Sequence, residues 1–218
     1  VNPQRICAVI TTHEAAATPE LWAGADLVEI RIDLIGHGWD KSIRSLKKPW
    51  IATNRLKAEG GLWEGTEEAR RTELLKALSM GADIIDIELA APDLEEIIPQ
   101  IKKKARCMIS HHDTKRTPPR SELRRIINDE LAAGADICKL VTTARAFDDN
   151  AVMLGIINEF KPADVVAFCM GPLGQLSRIL SPLSGGIFTY AALTEHDTSA
   201  PGQLTISQVK GVFGTLSP

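Results

Sequence analysis

A (β/α)8 barrel, one domain over residues 1–218, is the fold this sequence predicts, and three observations predict it. The first is an internal repeat. Ala23-Gly24-Ala25-Asp26-Leu27-Val28, Met80-Gly81-Ala82-Asp83-Ile84-Ile85 and Ala133-Gly134-Ala135-Asp136-Ile137-Cys138 share a pattern that Lys161-Pro162-Ala163-Asp164-Val165-Val166 varies. Glycine in the first three suits the left-handed end of a helix, and the apolar run after it reads as a buried parallel strand. The second is a set of weaker strand signals between the copies: 49–53, 106–110 and 186–190, with Ile6 to Ile10 at the start. That makes eight strands. The third is the helical spacing of the gaps, joined by short connections. Eight alternations of strand and helix imply a barrel. A doubly wound open sheet is the alternative, and no glycine-rich phosphate loop follows any strand to support it.

The helices carry their own signals. Thr66 before Glu67 and Glu68 reads as a cap with acids in the first turn, and Leu74, Leu75 and Leu78 continue at helical spacing. Asp93 with Glu96 resembles a capping box. Pro118 and Pro119 stand at a helix start, ahead of Leu123, Ile126, Ile127 and Leu131. Segments 147–160, 173–180 and 205–213 complete the set.

Composition narrows the function. A chain of 218 residues fits one barrel of about 200–250 residues. The net charge is -3 and the longest basic run is Lys102-Lys103-Lys104, which argues against nucleic acid as a partner. No apolar stretch approaches the ~20 residues of a membrane span, and no secretory leader is seen. Cys7, Cys107, Cys138 and Cys169 sit in apolar runs without CxxC spacing. They read as small buried hydrophobes in a reducing compartment, so a cytoplasmic location is expected.

The strand ends are charged where a barrel should be apolar. Glu29, Arg31 and Asp33 alternate onto one face at the end of the second strand. The third runs into Arg55, the fourth ends Asp86-Ile87-Glu88, the fifth ends Ser110-His111-His112-Asp113, and the sixth carries Lys139 in Ile137-Cys138-Lys139-Leu140-Val141. In a barrel the active site lies at these carboxyl ends. Single buried charges are often structural ion pairs, but five adjacent strands ending this way point to a network at the mouth. Lys139 has two readings. Its stem snorkels or its ammonium pairs with an acid, or desolvation makes it an amine nucleophile of the Schiff-base kind. Strand parity turns His112 inward with Met108 and Ser110 and His111 towards the helices, so His112 is the acid/base candidate. His112, Asp113, Asp86 and Glu88 resemble a metal-ligand set, but Arg31, Arg55 and Lys139 would crowd an ion with positive charge.

A string of motifs then resembles a known family, type I 3-dehydroquinate dehydratase. They are Glu29-Ile30-Arg31-Ile32-Asp33, Arg55-Leu56-Lys57-Ala58-Glu59-Gly60-Gly61, Asp86-Ile87-Glu88, Ser110-His111-His112-Asp113 and Gly134-Ala135-Asp136-Ile137-Cys138-Lys139. Gly174-Gln175-Leu176-Ser177-Arg178 and Ser199-Ala200-Pro201-Gly202-Gln203 follow in family order. The resemblance implies a barrel lyase of the shikimate pathway, converting 3-dehydroquinate to 3-dehydroshikimate and water with neither metal nor cofactor. It implies that Lys139 forms an imine with the substrate ketone, that His112 is the general acid/base, and that Glu59 orients and tunes His112. It implies that Arg178 clamps the substrate carboxylate and that Glu29, Arg31, Arg55, Ser199 and Gln203 bind substrate. The partners expected are this small molecule and, as an option, a second copy of the chain in a homodimer. Thr114 departs from the pattern, which often has an aromatic residue there.

Two rivals stand beside this reading: a class I aldolase or related lysine-dependent barrel, and a catalytically silent barrel that binds a metabolite or protein. Segment 192–203 after the eighth strand is polar and turn-forming. With Ser199 and Gln203 in it, it is expected to form a lid over the ligand.

Overall fold

The computed structural model describes residues 5–44 and 46–216, and the termini of the expected 1–218 domain lie outside them. Eight parallel strands form one sheet: β1 Ile6–Ile10, β2 Leu27–Arg31, β3 Trp50–Thr53, β4 Ile84–Glu88, β5 Arg106–His112, β6 Ile137–Thr143, β7 Val165–Met170 and β8 Thr189–Ala191. They run β7-β6-β5-β4-β3-β2-β1-β8 across the sheet, with β1 pairing to both β2 and β8. Ile187 N–H donates to the Val165 carbonyl at 3.1 Å and bridges the seam between β7 and β8, so the sheet curls into a barrel.

The repeated aspartates explain the rhythm. Asp26, Asp83 and Asp136 each precede a strand, and each carboxylate accepts a hydrogen bond from a backbone N–H near the start of the preceding strand. The donors are Ile6 at 2.8 Å, Trp50 at 2.9 Å and Cys107 at 2.9 Å. The aspartate's own N–H donates back to the carbonyl of that same residue. The motif is thus a register clamp between neighbouring strands, satisfying backbone donors that the ladder leaves free.

Side-chain alternation splits the interior. Leu27, Ile51, Ile84, Met108, Ile137, Val166 and Phe188 fill the lower barrel with Cys7. The outward residues, among them Ile30, Ile85, Ile87, Ile109, Leu140 and Ala167, pack under the helices. Those helices are α1 His13–Ala17, α2 Pro19–Trp22, α3 Ile32–Ile35, α4 Trp39–Ser42, α5 Glu67–Ser79, α6 Leu94–Ile101, α7 Arg120–Ala132, α8 Asp149–Glu159, α9 Gln175–Leu183 and α10 Ile206–Leu216. No helix among the described residues is long and apolar enough to cross a membrane.

Several local expectations change. Thr66 caps α5 as expected, accepting from Ala69 N–H. Asp93 does not form a capping box: its backbone is left-handed, at φ 50°, and its side chain makes no cap bond. Gly81 and Gly134 adopt positive φ, but Gly24 does not, because α2 is a short turn that closes without a left-handed residue. The strand expected at 186–190 shifts to Thr189–Ala191. Asp33 leaves the strand face, since β2 ends at Arg31 and α3 follows at once.

Candidate active site

The upper barrel opens into a cavity of about 340 Å³. Glu29, Arg31, Arg55, Glu59, His112, Lys139, Arg178, Ser199 and Gln203 all line it. Asp86 and Glu88 lie behind this wall. His111 is not on it, as strand parity requires.

Lys139 is 4% exposed, and its ammonium donates to Asp86 Oδ2 at 2.8 Å and lies 3.4 Å from Glu29 Oε1. It stands 4.5 Å from the centroid of the Tyr190 ring. A buried ammonium is tolerable only when paired in this way. Asp86 is shared: Arg55 Nη2 donates to Oδ2 at 2.6 Å and Ser110 Oγ to Oδ1 at 2.6 Å. Burial alone would raise the Asp86 pKa, but Arg55, then Lys139, outweigh it and hold the carboxyl far below the usual range. Glu29 also accepts from Thr53 Oγ1 at 2.8 Å. Arg31 forms a two-pronged pair with Asp33, at 2.9 and 2.7 Å, and Asp33 also accepts from Leu62 N–H at 3.0 Å. Asp33 therefore still serves the mouth, from a helical turn.

His112 and Glu59 form the second pair. Glu59 ends the short turn Lys57–Glu59 after β3, and its Oε2 lies 2.9 Å from His112 Nδ1 and accepts from His112 N–H at 3.0 Å. Burial lowers the His112 pKa well below its ordinary value, helped by Arg55 and Lys139. The ring is therefore neutral at neutral pH. Burial raises Glu59 to about 7, with Arg55 opposing and Glu88 and Asp86 assisting.

Arg178 differs from the other cations. It is buried on α9 with its guanidinium carbon 4.5 Å from the Phe168 ring centroid. Among the described residues its Nε and Nη2 have no hydrogen-bond partner and it joins no ion pair. Burial lowers its pKa to about 10. An unpaired buried cation is costly, so this position demands an anion. After β8, Ser199 N–H and Oγ donate to Gln203 Oε1 at 2.9 and 3.0 Å. Gly171 N–H donates to the Pro201 carbonyl at 3.0 Å, and a Cβ on Gly202 would lie 2.3 Å from the Gly171 carbonyl oxygen. The Ser199-to-Gln203 part of the expected lid is thus pinned against the loop after β7 as a wall.

A family model of type I 3-dehydroquinase matches residues 6–217, nearly the whole chain. The chain belongs to the type I 3-dehydroquinase family. It is therefore a 3-dehydroquinate dehydratase, an enzyme of the shikimate pathway. A 3-dehydroquinate dehydratase of Dehalococcoides mccartyi is 41% identical over 212 residues, covering 97% of this chain and 96% of the relative. The crystal structure of the Geobacillus kaustophilus 3-dehydroquinate dehydratase superposes with a TM-score of 0.88 at 25% identity, covering 98% of this chain and 91% of that one. A type I enzyme from Clostridium difficile, solved with covalent modified comenic acid, gives 0.86 at 25% identity, over 99% and 93%.

Reading the sequence alone passes over several members of this dehydratase's site. Thr53 sits at inward parity two residues before Arg55, a legible signal, and Ser110, already read as inward, receives no role from the sequence. Tyr190, the chain's one tyrosine, and Phe168 look like ordinary core until the fold brings them under Lys139 and Arg178. Arg70 lies on an outer helix and carries no sequence signal at all.

Proposed function

We propose that the enzyme dehydrates 3-dehydroquinate to 3-dehydroshikimate through an imine on Lys139. The observation that carries this reading is that Lys139 is the one lysine lining the cavity among the described residues. The Lys139 ammonium gives a proton to neutral His112, and the freed amine attacks the substrate ketone; the same proton returns to the carbinolamine hydroxyl, which leaves as water as the iminium forms. The iminium draws electrons from the neighbouring carbon and acidifies it. Neutral His112 takes that proton, which leaves an enamine. The protonated ring then gives a proton to the departing hydroxyl, and water hydrolyses the remaining conjugated iminium to release product and amine. One group serving as base and then acid suits an imidazole. Ionised Glu59 accepts a hydrogen bond from His112 Nδ1–H, which leaves the other ring nitrogen free to act as base.

The substrate carboxylate pairs with Arg178, whose planar fork accepts such a group through two hydrogen bonds. Glu29, Arg31, Arg55, Ser199 and Gln203 meet the remaining polar groups. The Clostridium difficile relative, solved with covalent modified comenic acid, supports the presence of a nucleophile in an enzyme of this family. The test is borohydride reduction in the presence of 3-dehydroquinate, followed by mass measurement. One ligand mass added per chain, mapped to Lys139, is the expected result; an adduct on another lysine, or none during turnover, overturns it.

A further inference from the structure

Glu88, at the end of β4, is held by arginines on two sides. Inward, its Oε1 lies 2.9 Å from Arg55 Nη1 and accepts from Leu56 N–H at 3.0 Å. Outward, its Oε2 accepts from Arg70 Nη1 at 2.5 Å. Arg70 stands on α5, is fully buried, and does not line the cavity. Its Nη1 also donates to the Asn54 carbonyl at 3.1 Å, and its Nε and Nη2 each donate to Glu67 at 2.8 Å. All the donors of this fork that face protein are therefore directed at the end of β3, the end of β4, or its own helix.

The charge count gives this arrangement a purpose. Glu29, Asp86 and Glu88 are three buried acids, and among the described residues inside the barrel only Arg55 and Lys139 pair with them. Arg70 is the third cation. Burying such a pair merely to fix a helix on a sheet is a poor bargain, since apolar residues do that at least as well. Glu88 moreover grips both arms of the site. It holds Arg55, which holds Asp86 beside Lys139. It also holds Leu56 N–H at the root of the turn that carries Glu59 to His112.

We propose that Arg70 is a positioning residue for the dehydration: through Glu88 it fixes Arg55 and the 56–59 turn, and thereby both the Lys139–Asp86 and the His112–Glu59 pairs. The proposal rests on the imine reading given above. Trapping of the wild-type chain at Lys139 is its control, and failure of that control overturns the imine reading separately from anything the Arg70 variants show.

The test compares steady-state rates on 3-dehydroquinate, their pH profiles and thermal melting for the wild type, Arg70→Met and Arg70→Lys. Arg70→Met is expected to keep KM within about threefold while kcat falls roughly 10–100-fold, the usual cost of removing a group that orients a reacting one. Its acid limb moves to higher pH. Glu59 is faced by Arg55, Glu88, Asp86 and His112, and a Glu88 with one cation fewer repels its ionised form more strongly. Arg70→Lys keeps the charge and one bond to Glu88. It should restore the limb and fall between the others in kcat, at least about threefold below wild type. Wild-type kcat with a superimposable profile in Arg70→Met overturns the proposal. So does a loss that only tracks the unfolded fraction. If Arg70→Met does not fold, Arg70→Lys decides: reduced kcat at unchanged KM supports the role, and wild-type kcat overturns it.

Discussion

The two halves of the barrel mouth are built on opposite plans. From β2 to β6 the upper inward positions include Glu29, Arg31, Thr53, Asp86, Glu88, Ser110, His112 and Lys139, with Val141 an apolar exception, and their charges are paired or hydrogen-bonded within the protein. From β7 through β8 to β1 the equivalent positions are Phe168, Tyr190 and Val9, packed edge to face in Phe168–Tyr190 and Phe188–Tyr190. Beside that apolar half stands a cation with no ion-pair partner among the described residues, Arg178. The paired half is organised before any ligand arrives, so it can set protonation states and aim groups. The apolar half leaves one electrostatic demand unmet, a cation able to take an anion. On the function proposed above, the proton transfers fall to the paired wall and the substrate carboxylate to the other.

The largest expected effect comes from the paired half. His112→Ala should cost about 10²–10⁴-fold in kcat, the usual range for a general acid/base, while borohydride still traps an imine. A loss under about tenfold would move that role to a carboxylate or to His111. His111→Ala, on the outer face, should be mild.

Next comes the unpaired cation. Arg178→Met should raise KM roughly 10–100-fold with kcat little changed, because the charge it meets is present in substrate and transition state alike. The same variant should melt higher than wild type without ligand, since an unpaired buried cation is gone. A normal KM with a collapsed kcat would erase the contrast between the two halves.

Glu59→Gln tests the tuning of the paired half. The Glu59 pKa rises from an ordinary 4.5 to about 7 in the folded state. Its stabilising contribution is therefore complete below pH 4.5 and lost as pH rises through about 7. The variant should melt above wild type at pH 8 and converge with it near pH 4.5, and its rate should lose the limb near 7. A melting gap that is the same at every pH would place the Glu59 pKa elsewhere.

The smallest effect belongs to the aromatic wall. The Tyr190 hydroxyl is buried with no hydrogen-bond partner among the described residues. Tyr190→Phe should stabilise the chain by about 1 kcal/mol, a rise of roughly 2–4 °C in Tm. A fall in Tm would show that the hydroxyl has a use that the protein groups around it do not reveal.

Sequence by itself determined the barrel and most of its mouth. Strand parity is a local, period-two property, so once the strands were placed, the inward positions of Glu29, Arg31, His112 and Lys139 followed. The aspartates of the repeat were visible too, though not that each one clamps the strand before it. Motif order added Glu59, Arg178, Ser199 and Gln203, which lie in loops or on a helix where no periodicity points. Tertiary structure decided the rest. Asp33 was placed on a strand face by alternation, yet the chain turns into α3 after Arg31, and the Arg31 fork together with Leu62 N–H holds the carboxylate in place. Whether Arg178 is paired, and that Glu88 binds Arg55 and Arg70 at once, depends on which distant side chains meet in the folded barrel. Such contacts are set by packing between strands and helices far apart in the chain, and local patterns of polarity carry no record of them.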